Sequence, residues 1–501
     1  MRRPWLFALG LVLLVAAWAF SDPPSAAPDE TVHYIKALAA GRGDLFGRPG
    51  SYPAGSESPT QLAYANVNTR AFDVPADMAP PDPCYAHLSA RSAACLPHAF
   101  HSAPGPMLSY VGVYQPVAYL LPGLAMRLAA DPWSAYVLGR LASAAQGMAL
   151  LALALVLLGA ARWRLAGILL ATTPMVLFLA SSLNPSGPEL CSAIAFTAMV
   201  LAQAVQGGRD RRLWAGIAAS GALLALSRPL SAAWVVLPPA MVIALHGPGT
   251  ARRVIAAGGG PALAAVGVVA AAVLAAAAWT LAFQHPIGTG ATSLPDTLRA
   301  SLGEPLRLLR EEVGSFGQLD APLPDPAIGA WLALVADLAA LAFAVSTWRE
   351  RIVLAGTGAA VVAITIAESA LLILPTGFAL QGRYVLPAAV AVPVLAGELV
   401  HRHRDRVPVL VARAGWAVVL LGVATIQLLA WLVNAHRNAI GAAGRLNFLV
   451  YGDWRPPLGW WPWLALAALG AGLLVAGGAR EAWPERPAAP GRRHRTAVRS
   501  R

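Results

Sequence analysis

The chain has 501 residues, 57% of them hydrophobic and only 12% charged, with a positive mean hydropathy. A soluble chain of this length carries far more charge, and the apolar runs are continuous rather than alternating, which argues against a transmembrane barrel. The net charge of +12 is not a nucleic-acid footprint: the arginines sit in short clusters between apolar runs and near the C-terminus, where positive charge fixes membrane topology.

The opening MRRPWLFALGLVLLVAAWAF has the arginines and apolar core of a signal peptide. Its length and the many spans after it favour an uncleaved first helix over residues 5–20. A long polar loop follows, residues 21–131. Within it, residues 29–40 read as an amphipathic helix. Residues 107–129, with Pro116 and Pro122, read as an interfacial or partly inserted helix. Further spans are expected at about 134–160, 165–182, 189–206, 213–226, 230–246 and 254–283. A second polar loop covers 284–327. Spans at about 328–347, 352–374, 385–400 and 408–433 come next, then a third polar loop, 434–459, and a twelfth span at 460–478. The spans from the third to the sixth are short, and a re-entrant pair among them would lower the count. Residues 1–478 thus read as one transmembrane domain of an all-α polytopic membrane protein, and 479–501 as a basic, disordered tail able to touch anionic lipid.

Alternating the spans from a cytoplasmic N-terminus sends every arginine cluster to the cytoplasmic side: Arg162/Arg164, Arg209/Arg211/Arg212, Arg252/Arg253, Arg349/Arg351, Arg402/Arg404/Arg406 and the tail. This implies a multi-pass protein of the plasma membrane with both termini cytoplasmic. The other polar features gather on the extracytoplasmic side. Cys84 and Cys95 lie in the first loop, where a disulfide fits an oxidising compartment; two separate thiols are the alternative. His87, His98 and His101 lie nearby without a convincing zinc spacing. Trp454, Trp460, Trp461 and Trp463 read as membrane-interface anchors. Neither a P-loop nor a dinucleotide fingerprint is present, which argues against an ATP-driven pump and against a cytoplasmic nucleotide-sugar enzyme.

Asp29-Glu30 opens the first loop's helix. Acids in a first turn stabilise the macrodipole; the sharper reading is a catalytic pair, with Asp29 the preferred base. His33 lies one turn on, on the face of Glu30, either as a phosphate ligand or as a packed polar residue. Arg228 and Arg383 stand alone at helix mouths in loops that otherwise avoid arginine. They read as ligands for an anionic substrate or as structural caps. Glu189 is either an ordinary helix-start acid or a cavity residue. Tyr110, Tyr114 and Tyr119 fall at roughly helical spacing, as interface anchors or as a stacking surface.

These residues carry a resemblance. Pro28-Asp29-Glu30 with His33, Tyr114-Gln115-Pro116 with Tyr119, Asn184-Pro185, the stretch from Gly317 through Gln318 to Asp320, and Gln381-Gly382-Arg383-Tyr384 with Pro387 resemble the bacterial membrane family known as domain of unknown function 2142. That family is itself similar to the GT-C glycosyltransferases. The resemblance implies a GT-C-like fold with short interfacial helices in the first loop. It also implies transfer of a sugar from a polyprenyl-phosphate donor to a glycan or glycolipid acceptor at the outer face. Asp29 and Glu30 would act as base or help hold a divalent metal ion. The other residues of these motifs, with Glu189 and Arg228, would bind substrate. Membrane lipids are the expected surroundings. A transporter or flippase for lipid-linked saccharides, or a non-catalytic subunit of envelope assembly, are the competing readings.

Overall fold

The computed structural model describes residues 4–53, 59–97, 105–159, 161–285 and 292–482. His98, His101 and the basic tail from residue 483 lie outside the described residues. Helix α1 (Trp5–Ser21) ends at Asp22, whose extended backbone (ψ 135°) is the conformation Pro23 imposes on its predecessor. Helix α2 (Glu30–Gly41) follows. The first loop then forms a small antiparallel sheet, β1 (Arg48–Pro49), β2 (Arg70–Asp73) and β3 (Pro106–Ser109), in that spatial order. Arg48 pairs with Ala71 and Arg70 with Ser109. Helix α3 (Pro59–Val67) lies between β1 and β2 in sequence, and α4 (Val117–Met126) follows β3. The helix expected over 107–129 is therefore a strand, a turn and a helix that begins only after Pro116, where the missing N–H costs nothing. Nor is α2 a surface helix. It is buried almost all round, and it meets α4 at Gly41 and Gly123, where a Cβ on Gly41 would stand 2.0 Å from the Gly123 carbonyl oxygen.

The bundle begins with α5 (Pro132–Leu158), α6 (Arg162–Ala171), α7 (Pro174–Ala180), α8 (Ser186–Val205) and α9 (Arg211–Ser227). Next come α10 (Ser231–Trp234), α11 (Leu237–His246), α12 (Pro248–Phe283) and α13 (Leu294–Gly314). Helices α14 (Asp325–Val345), α15 (Trp348–Thr376), α16 (Gly382–Ala389) and α17 (Ala391–Arg402) follow, then α18 (Val409–Ile440), α19 (Phe448–Tyr451) and α20 (Trp461–Ala482). Among the described residues, eight segments are long and apolar enough to cross a membrane: α5, α8, α12, α14, α15, α16 with α17, α18 and α20. The pair α6 and α7, bent by 68°, makes nine if it is one span. The three remaining expected spans, α1, α9 and α10 with α11, are shorter than about 20 residues, the usual length for a bilayer. The bend has a local cause. Pro174 supplies no N–H, the Thr173 hydroxyl caps Val176, and the freed Thr172 carbonyl accepts from Gln427 at 2.8 Å.

Polar residues divide between the two ends of the bundle. At one end, Arg164 and Arg402 hold Glu398 at 2.6 and 3.2 Å, His403 meets Glu350 at 2.7 Å, and Arg402 meets His246 at 3.0 Å. The arginine-rich turns before α6 and α15 and after α17 are thus tied into one layer. The α1–α2, α7–α8, α9–α10 and α15–α16 connections meet at the opposite end. Between the layers lies a continuous apolar core from α1 to α20. It includes Trp460, which is buried against Trp431, Phe448 and Trp454 rather than set at an interface.

Candidate functional site

Asp29 caps α2 with a left-handed backbone, φ 63°. Aspartate tolerates this region better than most residues, though at some cost. Its carboxylate accepts from the Tyr110 hydroxyl at 2.5 Å and is ion-paired with Arg383. The Asp29 side chain keeps 25% of its surface exposed, whereas Arg383 keeps 2%. Burial works to raise the Asp29 pKa, but Arg383 and the Tyr110 hydrogen bond outweigh it and hold the group at about 2. Arg383 is the second residue of α16. It also donates to the Pro28 carbonyl at 3.1 Å, while its buried Nε has no protein partner among the described residues.

Glu30, one residue on, faces the other way. Its carboxylate is fully buried, accepts a two-point contact from Arg140 of α5 at 2.7 and 2.8 Å, and takes the Leu183 amide at 2.9 Å. Arg140 also donates to the carbonyls of Asp22 and Pro23, both at 2.7 Å. Every strong donor of this guanidinium is used, so Glu30 and Arg140 pin the start of the first loop to α5.

Around Asp29, the His33 ring meets the Tyr119 hydroxyl at 2.8 Å and lies against Tyr114. Burial, reinforced by Arg383 and Arg228, lowers the His33 pKa to about 3, against the pull of Asp29, so the ring is neutral at pH 7. Arg228, at the end of α9, pairs with Glu189 at 3.3 Å, and the Ser231 hydroxyl donates to Glu189 at 2.5 Å. Arg228 and Arg383 both lie over the Tyr384 ring, 4.4 and 5.1 Å from its centre, so one aromatic ring meets two cations. Asn184 donates to the Pro28 carbonyl at 3.0 Å, and Gln318 donates to the carbonyls of Ser25 and Ala27. These two amides shape the turn behind Asp29. Both polar atoms of Gln115 and the Oε1 of Gln381 are buried without a protein partner among the described residues. Buried groups of this kind call for water or ligand.

Asp320 belongs to a neighbouring structure. It binds Arg437 of α18 at 2.5 Å, and Arg437 in turn donates to the carbonyls of Tyr85 and Arg91. That segment is closed by a Cys84–Cys95 disulfide. Asp29, His33, Tyr114, Glu189, Arg228, Arg383 and Tyr384 therefore form one cluster, with Asn184 and Gln318 behind it. Glu30 and Asp320 serve other contacts. The tyrosines do not share a helix, since Tyr110 and Tyr114 lie in the turn before α4. Sequence reasoning passed over Arg140 and Glu368. Glu368, on α15, is within electrostatic reach of Arg228 and Glu189 and has one buried carboxylate oxygen unpartnered among the described residues. Each is a lone charge inside an apolar run, which was the available signal.

The donor set does not fit a metal held by the acidic pair. Asp29 is bound by Tyr110 and Arg383, Glu30 by Arg140. Among the described residues, no three His, Cys, Asp or Glu side chains are grouped as metal ligands.

Fold and site define a polytopic helical membrane protein with a cluster of acids, arginines and tyrosines at one end of its bundle. The chain belongs to the family described as "Predicted membrane protein (DUF2142)", which it matches over residues 11–392. Every residue of the Asp29 cluster falls inside that match, whereas Arg437 lies beyond it. No curated protein and no solved structure matches the chain.

Proposed function

We propose that the protein is a GT-C-type glycosyltransferase of the plasma membrane. It moves a sugar from a polyprenyl-phosphate donor to a cell-envelope glycan or glycolipid at the extracytoplasmic face. In this reading residues 1–478 form one catalytic membrane domain of twelve spans, with both termini and the arginine layer in the cytoplasm. The observation that carries the reading is Asp29: a partly open carboxylate held by a buried arginine and by the Tyr110 hydroxyl. The donor phosphate takes Arg383 from Asp29, using the Nε that has no protein partner among the described residues. Release from Arg383 restores the basicity of Asp29. The acceptor hydroxyl then gives its proton to Asp29 as its oxygen bonds to the anomeric carbon, and the bond from that carbon to the phosphate oxygen breaks with its electrons staying on the phosphate. His33, neutral, and Tyr119 orient the sugar; Arg228 and Tyr384 hold the far side of the phosphate. No step runs through a metal.

Glu368 favours a second reading, a transporter or flippase for lipid-linked saccharide, because a carboxylate inside a span often marks a transport path. One experiment separates the two. Asp29→Asn and Arg383→Ala are expressed in a strain lacking the protein, and envelope glycans and lipid-linked sugars are analysed. Loss of glycan with lipid-linked donor accumulating on the outer face supports the transferase; accumulation on the inner face supports the flippase. Full restoration by both variants ends the enzyme reading.

A further inference from the structure

Helix α13 is built inside out for a helix in water. Its buried side is polar: Thr297 and Ser301 are fully enclosed, with Leu308 and Glu312 continuing the same stripe. Apart from Leu308, its leucines point away from the protein. Leu294, Leu298, Leu302, Leu306 and Leu309 are all exposed, from 37% at Leu309 to 76% at Leu306. A third stripe, Asp296, Arg299, Gly303 and Arg310, is exposed and polar. At 3.6 residues per turn the exposed leucines cover roughly a third of the helix circumference, with the buried stripe on one side of them and the exposed polar stripe on the other. The buried hydroxyls are satisfied locally, with Thr297 meeting Thr292 at 2.7 Å and Ser301 donating to the Thr297 carbonyl at 2.7 Å.

Seven of the 21 residues of α13 are charged, so the helix does not cross a membrane. It nevertheless packs along α15, a candidate span. The Thr292 hydroxyl donates to the Ile373 carbonyl at 3.1 Å, and Leu308 lies in a cluster with Leu372. On α15 itself Val362 and Leu371 are exposed, as expected of a span that faces lipid. Small polar residues toward a neighbouring helix, leucines outward and charges to one side is the arrangement of a helix lying in a lipid interface.

We propose that α13 lies in the membrane interface on the Asp29 side of the bundle. Leu298, Leu302 and Leu306 sit among phospholipid acyl chains, and Arg299 and Arg310 sit at headgroup level. The helix is also tied to the site: Arg307 donates to the Leu380 carbonyl at 2.5 Å, and Glu311 accepts from the Gly382 amide at 2.8 Å. A lipid-facing helix therefore braces the turn that carries Arg383. The inference does not depend on the transfer reaction.

The test is collision accessibility of nitroxide labels on the full chain in nanodiscs of phosphatidylethanolamine and phosphatidylglycerol. Labels are placed singly at Leu302→Cys, Leu306→Cys and Gly303→Cys. Cys191 is buried and Cys84 is bonded to Cys95, so labelling goes to the new thiol. A Cβ at Gly303 meets open space. The ratio of oxygen to nickel-chelate collisions is expected to be several-fold higher at 302 and 306 than at 303. Nickel-dominated collisions at both leucine positions would put them in water and overturn the proposal. Low collision with both reagents, with dipolar broadening, would mean a second copy covers the stripe, and would overturn it as well.

Discussion

Asp29 and Glu30 are adjacent, yet their carboxylates serve opposite halves of the molecule. Asp29 reaches Arg383 on α16 and stays partly open, while Glu30 reaches Arg140 on α5 and is sealed. The left-handed backbone at Asp29 is what turns consecutive side chains apart.

That divergence separates chemistry from architecture. Asp29→Asn removes the proton acceptor while keeping a group that accepts from Tyr110 and Arg383. Glycan transfer in membrane vesicles is expected to fall by roughly 10²- to 10⁴-fold, with protein abundance and melting temperature lowered less than in Glu30→Ala, because Arg383 keeps an accepting oxygen. An Asp29→Asn protein that transfers at the wild-type rate would remove Asp29 from the mechanism.

For Glu30 the expectation is reversed. Glu30→Ala leaves Arg140 buried without its counter-charge, a loss of about 3–5 kcal/mol for a broken buried pair. The variant should be depleted from membranes and melt earlier. Replacing both partners, Glu30→Met with Arg140→Leu, should recover part of the loss, because no lone charge remains. If Glu30→Ala is as abundant and stable as wild type, the pair does not anchor the first loop.

The membrane character, eight of the twelve expected spans and the gathering of Asp29, Arg228 and Arg383 were legible because they rest on apolar run length and on isolated charges, both local properties of the sequence. What was not legible depends on direction. Nothing in Pro28-Asp29-Glu30 tells which acid faces the opening, because that follows from one positive φ. The partner of Glu30 lies 110 residues away, and Arg140 looked like one polar residue in an apolar helix. Residues 107–109 read as helix because their apolar content fits either period; pairing with β2 decided for a strand. Residues 294–314 read as part of a polar loop because seven of the 21 are charged, and only tertiary packing reveals a helix with Thr297 and Ser301 on its buried side.

The segment around the Cys84–Cys95 disulfide is held twice, by the covalent bond and by Arg437, which donates to the Tyr85 and Arg91 carbonyls and pairs with Asp320. Closing so short a loop contributes about 2–3 kcal/mol. Cys84→Ser with Cys95→Ser should therefore lower the melting temperature modestly and preserve activity, because Arg437 still holds the segment. Adding Arg437→Ala should release it, seen as protease cleavage within residues 82–96. If the double cysteine variant alone is cleaved as fast as the triple variant, Arg437 is not the second restraint.

Asp22 gives a pH dependence whose sign is fixed by its surroundings. It is enclosed at the end of α1, where its Oδ1 accepts from Asn434 at 2.6 Å and Asn438 at 3.2 Å. Burial, with the nearby Glu30, raises its pKa from the ordinary 3.8 to about 7, against the lowering effects of Arg140 and of the two asparagines. The folded chain therefore holds this proton more tightly than the unfolded chain does. The stabilising contribution is full below 3.8, declines as pH rises through the interval to about 7, and is absent above it. Asp22→Asn keeps the accepting oxygen and cannot ionise. Its amide can also donate to the Asn434 or Asn438 oxygen, both buried without a partner among the described residues. The difference in melting temperature between Asp22→Asn and wild type, followed by tryptophan fluorescence in detergent, should be small at pH 4, grow through pH 7 and level off with the variant the more stable. Asp22→Ala, which strands both asparagines, should be less stable than Asp22→Asn throughout. A difference curve that stays flat from pH 4 to 8 would mean that Asp22 is ionised in the folded protein and that Arg140 outweighs its burial.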